Sequence, residues 1–188
     1  MRSRLLAKGA DLVQRHGFNA TGVQDIALAA SVPKGSFYSY FDSKDAFGTE
    51  IASEYWFEIS NNYGKFLEDK NINPYRRICL HFEGLVDYHR DHGFAIGCLI
   101  GNLALEVSFS SEPMRRRLFG LFDEWTRLLA DCIGDAQVRG EIASQDSASE
   151  LAASLIDAFE GAVMRAKVER TDRALLRFQE QSLPRLLA

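Results

Sequence analysis

The sequence predicts an all-α protein of about nine helices, with a small N-terminal head of three helices and a larger helical body. Three observations support this prediction. Apolar residues recur at helical spacing along the 188-residue chain, and convincing strand alternation is absent. Ser and Thr stand before several periodic segments, and Gly or Pro bracket them, which is typical of helix ends. With 46% hydrophobic residues and four Pro, the chain can bury a sizeable core.

The head is predicted to contain a helix that Gly17 stops, a second helix that a capping box opens, and a short third helix. In that capping box the Thr21 hydroxyl would accept from the Gln24 amide, and Gln24 would reach back. Pro33 suits the start of the third helix, because no N–H is needed there. The three predicted helices span residues 3–16, 22–29 and 34–40.

The body repeats the same signals. Ser43 is expected to cap a long fourth helix, and Ser147 with Glu150 forms a second predicted capping box. Residues 134–146 are predicted to be the main irregular connector. The six predicted body helices span about 44–69, 74–93, 96–108, 111–133, 147–169 and 172–187. Residues 1–47 are expected to form a helix-turn-helix DNA-binding domain, and residues 48–188 a ligand-sensing and dimerisation domain.

Composition restricts the class of protein. No apolar stretch is long enough to cross a bilayer and no secretory signal pattern appears, so we expect a soluble, cytoplasmic protein with no membrane partner. Three widely spaced cysteines, Cys79, Cys98 and Cys132, indicate neither a disulfide framework nor a zinc site. Walker, zinc-hydrolase and G-x-S-x-G patterns are missing, so we expect no cofactor and no enzyme activity, although a Cys98 nucleophile is a conceivable alternative.

Charge separates the two parts of the chain. Residues 1–47 carry six Lys/Arg and four Asp/Glu, whereas residues 48–188 carry sixteen and twenty-two. This asymmetry suggests that only the N-terminal part meets a polyanion.

The stretch ASVPKGSFYSYFDSKDAFG, residues 30–48, combines aromatic and small polar residues. Phe37 and Phe41 are one helical turn apart and are expected to pack inward against the preceding helix. Lys44 would face a phosphate at the start of the next helix. This pattern predicts a recognition helix in the major groove of double-stranded DNA. A surface helix pair that never touches DNA remains the alternative. The predicted DNA-binding residues are Thr21, Gln24, Lys34, Gly35, Ser36, Tyr38, Ser39, Tyr40 and Lys44.

The segment GFNATGVQDIALAASVPKGSFYSYFDSKDAF resembles the N-terminal domain of the TetR family of transcriptional regulators. The shared pattern includes the Gly-aromatic pair after helix 1, D-I-A, K-G-S-F-Y-x-Y-F and S-K-D. Pro33 stands where Ser is commoner in the family. The resemblance implies nine helices, a DNA-binding head, and a body that binds a ligand and forms a dimer. It favours a repressor that leaves a palindromic operator when a small molecule acts on the body.

A second resemblance concerns the body. GCLIGNLALEVS at 97–108 and FEGAVMRAKVER at 159–170 look like the electrophile-responsive subgroup of the family, typified by the repressor of N-ethylmaleimide reductase. Pro33 also fits this subgroup. Cys98 would then be the sensor and Lys167 its partner, because a helix start and a nearby ammonium both favour a thiolate. The alternative is a buried, inert Cys98 and a Lys167 that extends to solvent.

The last predictions concern the dimer and the ligand. Helix 8 is apolar over more than one face, which suits a homodimer contact through Ala158 and Ala162. A subset of body aromatics is expected to line a cavity for a non-covalent hydrophobic inducer, the alternative effector. His89 and His92 are expected to be exposed helix residues rather than metal ligands. The candidate cavity residues are Trp56, Tyr88, Trp125 and Phe159.

Overall fold

The computed structural model describes every residue from Met1 to Ala188, and it confirms the all-α prediction. Nine helices follow one another and there is no strand. Two helices, α4 and α9, each contain a π-helical turn. The helices are α1 Arg2–His16, α2 Val23–Ala29, α3 Lys34–Tyr38, α4 Lys44–Ile59 with Ser60–Gly64 (π) and Lys65–Glu68, α5 Pro74–Asp91, α6 Leu99–Val107, α7 Glu112–Val138, α8 Ala148–Glu169, and α9 Arg173–Arg177 with Phe178–Ser182 (π) and Leu183–Leu186.

Several helix ends form as the sequence predicts. Gly17 ends α1 with a φ of 91°, and its N–H donates to the Val13 carbonyl at 2.8 Å. The Ser43 hydroxyl oxygen accepts from the Ala46 amide at 3.0 Å at the start of α4. At the start of α8, Ser147 caps the helix by accepting from the Glu150 amide at 3.4 Å.

The end of α7 corrects the sequence prediction. The helix continues to Val138, five residues beyond the predicted end, so the connector predicted from residue 134 is wrong over its first part. Asp135 lies on this additional turn and accepts from Lys70 Nζ at 2.7 Å and from Arg77 Nη2 at 3.0 Å. These contacts from residues distant in sequence give the last turn of α7 partners that a local pattern does not reveal.

The first of two compact units consists of residues 1–58 and 98–121. It contains α1, α2, α3 and α6 together with the first parts of α4 and α7. Its core is tightly packed around Gly9 and Gly48, where a Cβ would lie 2.3 Å from the Phe47 ring and 2.6 Å from Met114 respectively. Phe18, Ile26 and Phe47 are buried in this core.

The second unit consists of residues 59–97 and 122–188. Phe82, Phe159 and Phe178 form its aromatic centre, with ring centroids 4.9 to 5.3 Å apart. The fully buried Arg77 donates from Nη1 to the Leu67 carbonyl at 2.8 Å. This grouping reflects packing, and the functional boundary after residue 47 stays a prediction. No helix of the protein is both long and apolar enough to cross a lipid bilayer.

Candidate DNA-binding site and sensor residues

A tight turn joins α2 to α3. Ser31 adopts the left-handed conformation with a φ of 54°, which few residues other than glycine adopt. The Ser31 amide donates to the Leu28 carbonyl, and the Val32 amide donates to the Ala27 carbonyl, both at 3.0 Å. Pro33 then caps α3. Two short helices joined in this way form a helix-turn-helix.

An aromatic cluster anchors α3 to α4. Phe37 and Phe41 are 0% and 2% exposed, which confirms that they face inward. Their ring centroids are 5.1 Å apart, and each lies 5.1 to 5.4 Å from the ring of Phe47 on α4. Phe47 is the third member of the cluster and is absent from the sequence-based predictions. Because three rings fix α3 to α4, the outer face of α3 is held rigidly.

The predicted recognition residues lie on the open side of α3. Lys34, Gly35, Ser39 and the two tyrosines are exposed, and Ser36 is half-buried. Tyr38 and Tyr40 expose 54% and 41% of their surface, so both rings are available to a partner molecule. No atom lies within 4 Å of a Cβ built on Gly35, so the backbone there is open to close approach. Gln24 is exposed in the first turn of α2.

The capping box predicted at Thr21 and Gln24 is wrong. Gly22 is the N-cap of α2, and its amide donates to the Asp25 carboxylate at 2.8 Å. Thr21 is 3% exposed, and its hydroxyl donates to the Gly17 carbonyl at 2.7 Å. Asp25 is therefore the acidic residue of the box, and Thr21 stabilises the α1–α2 turn from within the head.

Lys44 is half-buried at the start of α4. Its ammonium donates to the Phe18 carbonyl at 2.6 Å and lies 4.4 Å from the centroid of the Phe18 ring. Burial lowers the pKa of Lys44, while the negative charges of Asp45 and Glu106 oppose that shift. The structure thus gives Lys44 a partner inside the head, and its contact with a DNA phosphate stays a prediction.

Glu106 on α6 is a functional residue that no sequence pattern indicates. Its Oε1 accepts from the Phe18 amide at 3.1 Å, and its Oε2 accepts from the Asn19 amide at 2.9 Å. The side-chain amide of Asn19 also donates to the Glu106 carbonyl at 3.3 Å. The contacting residues are 87 and 88 positions apart, so no local signal could reveal the pairing.

The predicted sensor residues belong to different compact units. Cys98 is 7% exposed and is the N-cap of α6 in the first unit. Lys167 is half-buried near the end of α8 in the second unit. The pairing of the two stays a prediction. Burial raises the pKa of Cys79, and it raises the pKa of Cys132 to about 11.

Two of the predicted cavity aromatics meet within the second unit. The rings of Trp125 and Phe159 are 6.4 Å apart, and Tyr88 lies 5.2 Å from His89, whose ring is 6.3 Å from Phe159. Trp56 is 7% exposed and belongs to the first unit. All three second-unit residues therefore belong to one aromatic network.

Two histidines within this network are buried. Trp125 Nε1 donates to His81 Nε2 at 3.1 Å, so the His81 proton resides on Nδ1, which donates to the Tyr63 carbonyl at 3.0 Å. His89 is only 3% exposed, which corrects the prediction that it is a surface residue. Burial is the main cause that lowers the pKa of each imidazole from 6.5 to about 4.

The outer face of α8 is apolar and open. Ala158 and Ala162 are half-buried, whereas Met164 and Val168 expose 61% and 80% of their surface. Together with Phe178 of α9 they border a shallow groove of about 620 Å³, whose rim also carries the charged residues Arg165, Glu169 and Arg177. An apolar helix face of this kind is typical of a protein–protein contact.

The anchored α3 with its open outer face defines a helix-turn-helix DNA-binding protein. Two family profiles match the chain: "Bacterial regulatory proteins, tetR family" at residues 5–51 and "Tetracyclin repressor-like, C-terminal domain" at residues 74–181. The chain therefore belongs to the TetR family. It is a ligand-responsive DNA-binding transcriptional regulator and not an enzyme.

Individual relatives agree with this assignment. The chain is 35% identical over 178 residues to the HTH-type transcriptional repressor DhaR of Mycobacterium sp. (strain GP1), covering 95% of this chain and 88% of DhaR. It is also 35% identical over 114 residues to the HTH-type transcriptional repressor NemR of Escherichia coli (strain K12), covering 61% of this chain and 57% of NemR.

Solved structures extend the similarity to the whole fold. The regulatory protein TetR from Rhodobacter sphaeroides superposes with a TM-score of 0.92 at 30% identity, covering 100% of this chain and 98% of that one. The reduced form of Escherichia coli NemR superposes with a TM-score of 0.86 at 27% identity, covering 100% and 97%. The similarity to NemR supports the predicted resemblance to its subgroup.

Proposed function

We propose that this chain is a homodimeric repressor that binds a palindromic operator and leaves it when a reactive electrophile modifies Cys98. The observation that carries the DNA-binding part is the open face of α3, with Gly35 free of neighbours above the Phe37–Phe41–Phe47 cluster. Gln24 and Lys44 would contact phosphates on either side of the base contacts. The matched family profile is one of bacterial regulatory proteins, and bacterial DNA lies in the cytoplasm, so we expect the repressor to act there.

The homodimer rests on the open apolar face of α8. Ala158 and Ala162 allow close helix approach, and Met164 and Val168 offer apolar surface for a second copy to bury. A two-fold dimer would place its two recognition helices about one turn of DNA, roughly 34 Å, apart or slightly more. The operator is therefore a near-palindrome.

The choice of Cys98 as the sensor rests on its position and on the environment of the other two thiols. Cys98 caps α6, where backbone N–H groups and the helix dipole favour a thiolate. Burial raises the pKa values of Cys79 and Cys132, so both carry little thiolate at neutral pH. Cys98 is also buried, and what distinguishes it from the other two is its N-cap position at a helix start. The DhaR and NemR relatives are both named as repressors, and a reduced form of NemR has been crystallised.

The chemistry with a maleimide is an addition. The Cys98 sulfur forms a bond to one alkene carbon, the carbon–carbon π bond breaks, and the thiol proton ends on the neighbouring carbon. No oxidant or leaving group is needed. The adduct adds bulk to a buried position at the start of α6, which the packed core cannot accommodate without movement.

The test uses a duplex selected from a random pool by the unmodified protein. Its dissociation constant is measured before and after treatment with N-ethylmaleimide, while mass spectrometry locates the adduct. We expect DNA release with an adduct on Cys98, no release in Cys98→Ser, and normal release in the matched controls Cys79→Ser and Cys132→Ser. Release that persists in Cys98→Ser would refute Cys98 as the sensor.

A non-covalent inducer is the second candidate. The specific observation in its favour is His89, whose buried Nδ1 lacks a hydrogen-bond partner within the aromatic network. A ligand with a polar group that forms a hydrogen bond there would satisfy this atom. If no cysteine variant changes the response to electrophiles, and small apolar molecules with one polar group release the DNA instead, this second candidate is correct.

A further inference from the structure

The carboxylate of Glu106 binds two successive backbone amides of the α1–α2 turn. Its two oxygens accept one N–H each, from Phe18 and from Asn19. Such charge-assisted bonds are about twice as strong as those between neutral groups. These amides lie between α1 and α2, where no helix supplies them with a carbonyl. Glu106 is thus the anchor of the turn.

Gly17 shapes the turn around this carboxylate. Its φ of 91° lies in the region that favours glycine, and a Cβ built there would lie 3.0 Å from Glu106 Oε1. A side chain at position 17 would therefore both strain the backbone and displace the carboxylate. The glycine at position 17 therefore leaves the space that the Glu106 carboxylate occupies.

Phe18 is held from two sides. Glu106 from α6 binds its amide, and Lys44 from α4 binds its carbonyl at 2.6 Å. The Phe18 ring, 3% exposed, is packed beneath the Lys44 ammonium. The charges of Glu106 and Lys44 also attract each other. One peptide segment therefore joins α6 and α4 to the entrance of α2.

We propose that Glu106 is a positioning residue for DNA binding, through which α6 sets the placement of α2 and the recognition helix α3. The turn that Glu106 holds ends at Gly22, the N-cap of α2, and α2 leads through the Ser31 turn into α3. In this role Glu106 and its two amides act on DNA affinity through the turn rather than by contact with the DNA. They fix the angle at which α2 and α3 follow α1.

If Cys98 is the sensor, as in the proposed function, Glu106 also links the modified thiol to the head. Cys98 is the N-cap of the helix that carries Glu106 near its other end. Modification of Cys98 would displace α6, and Glu106 would transmit that displacement to the amides of Phe18 and Asn19. A change at the start of α6 would thereby reach the DNA-binding head without a ligand touching it.

The test compares Glu106→Gln with Glu112→Gln, a matched control on α7 in the same unit. A glutamine at 106 can accept at only one of its two terminal atoms, so one turn amide loses its partner. We expect Glu106→Gln to bind the selected duplex at least about ten-fold more weakly. Glu112 pairs with Arg115 and Arg116 at the surface, and its replacement is expected to change affinity less than about two-fold.

Hydrogen exchange separates positioning from general destabilisation. In Glu106→Gln, the amides of Phe18 and Asn19 are expected to exchange faster, while the core amides of α4 keep their protection. Glu106→Asp keeps the charge but is one methylene shorter, and it is expected to weaken DNA binding in the same direction. It serves as the second variant if the glutamine variant folds poorly.

The outcomes distinguish this proposal from the electrophile response. Wild-type affinity in both position-106 variants, or an equal loss in Glu112→Gln, would overturn the positioning role of Glu106. A wild-type protein that ignores N-ethylmaleimide would overturn the sensor function, but the comparison of DNA affinities would still decide the role of Glu106. If both proposals hold, Glu106→Gln is alkylated at Cys98 at the normal rate and its remaining DNA affinity no longer responds.

Discussion

Acid should destabilise this protein in a pH range set by its two buried histidines. His81 and His89 have pKa values of about 4 in the folded chain against 6.5 when unfolded. Between these values the unfolded chain binds more protons than the folded one, so stability falls as the pH falls. Their contribution is fully present above pH 6.5 and is lost progressively towards pH 4. A shift of this size corresponds to roughly 3 kcal/mol of unfolding free energy for each histidine.

The assay is urea denaturation followed by circular dichroism, between about pH 7 and pH 4.5 and at constant protein concentration. In His81→Gln the plot of unfolding free energy against pH should be less steep by about 1.4 kcal/mol per pH unit, which corresponds to about one bound proton. This change in slope is expected whatever the substitution does to stability at neutral pH. His16→Gln, an exposed position on α1, is the control. An unchanged slope in His81→Gln would refute the argument that its neutral form is required.

Four further predictions concern the head and the dimer. Ser31→Gly should raise the unfolding free energy by about 1 kcal/mol, because it relieves a left-handed φ, whereas Ser39→Gly should not. Gly35→Ala should leave thermal stability unchanged or higher but weaken DNA binding, since open space surrounds that backbone; normal DNA affinity would contradict its predicted role. Lys44→Ala should weaken binding to all duplexes alike and flatten the log-affinity against log-salt slope by about 1.8 per dimer; an unchanged slope would leave Lys44 only its contact with Phe18. Ala162→Lys should yield monomers by light scattering, because it buries a positive charge beside Arg165 and Arg177 and an unpaired buried charge costs several kcal/mol, whereas Ser149→Lys should remain dimeric.

The helices and the inward side of α3 could be predicted from the sequence because their signals are local. The helical spacing of Phe37 and Phe41 determines which face is buried, and Gly17 and Ser147 mark helix ends through their own backbone preferences. Such features depend on neighbours within a turn or two, which the sequence displays directly.

Two of the missed features depend on distant partners. Glu106 meets Phe18 and Asn19 across nearly ninety residues, and Asp135 extends α7 through partners on other elements. The capping box predicted at Thr21 and Gln24 is wrong for a different reason. Asp25 directly follows Gln24 and competes with it to accept from a backbone amide at the start of α2. The prediction that His89 is exposed is wrong because a single helix turn does not reveal what packs over it.

The distribution of tryptophan makes the protein its own optical reporter. The chain has two tryptophans, Trp56 in the first compact unit and Trp125 in the second. Replacing either by phenylalanine leaves one emitter, so fluorescence can follow each unit separately without an attached dye. The Trp125 emitter is coupled to the imidazole of His81 through its indole N–H, so its emission reports the ionisation of that ring. The order in which the two units respond to an effector is thus accessible to a stopped-flow measurement on unlabelled protein.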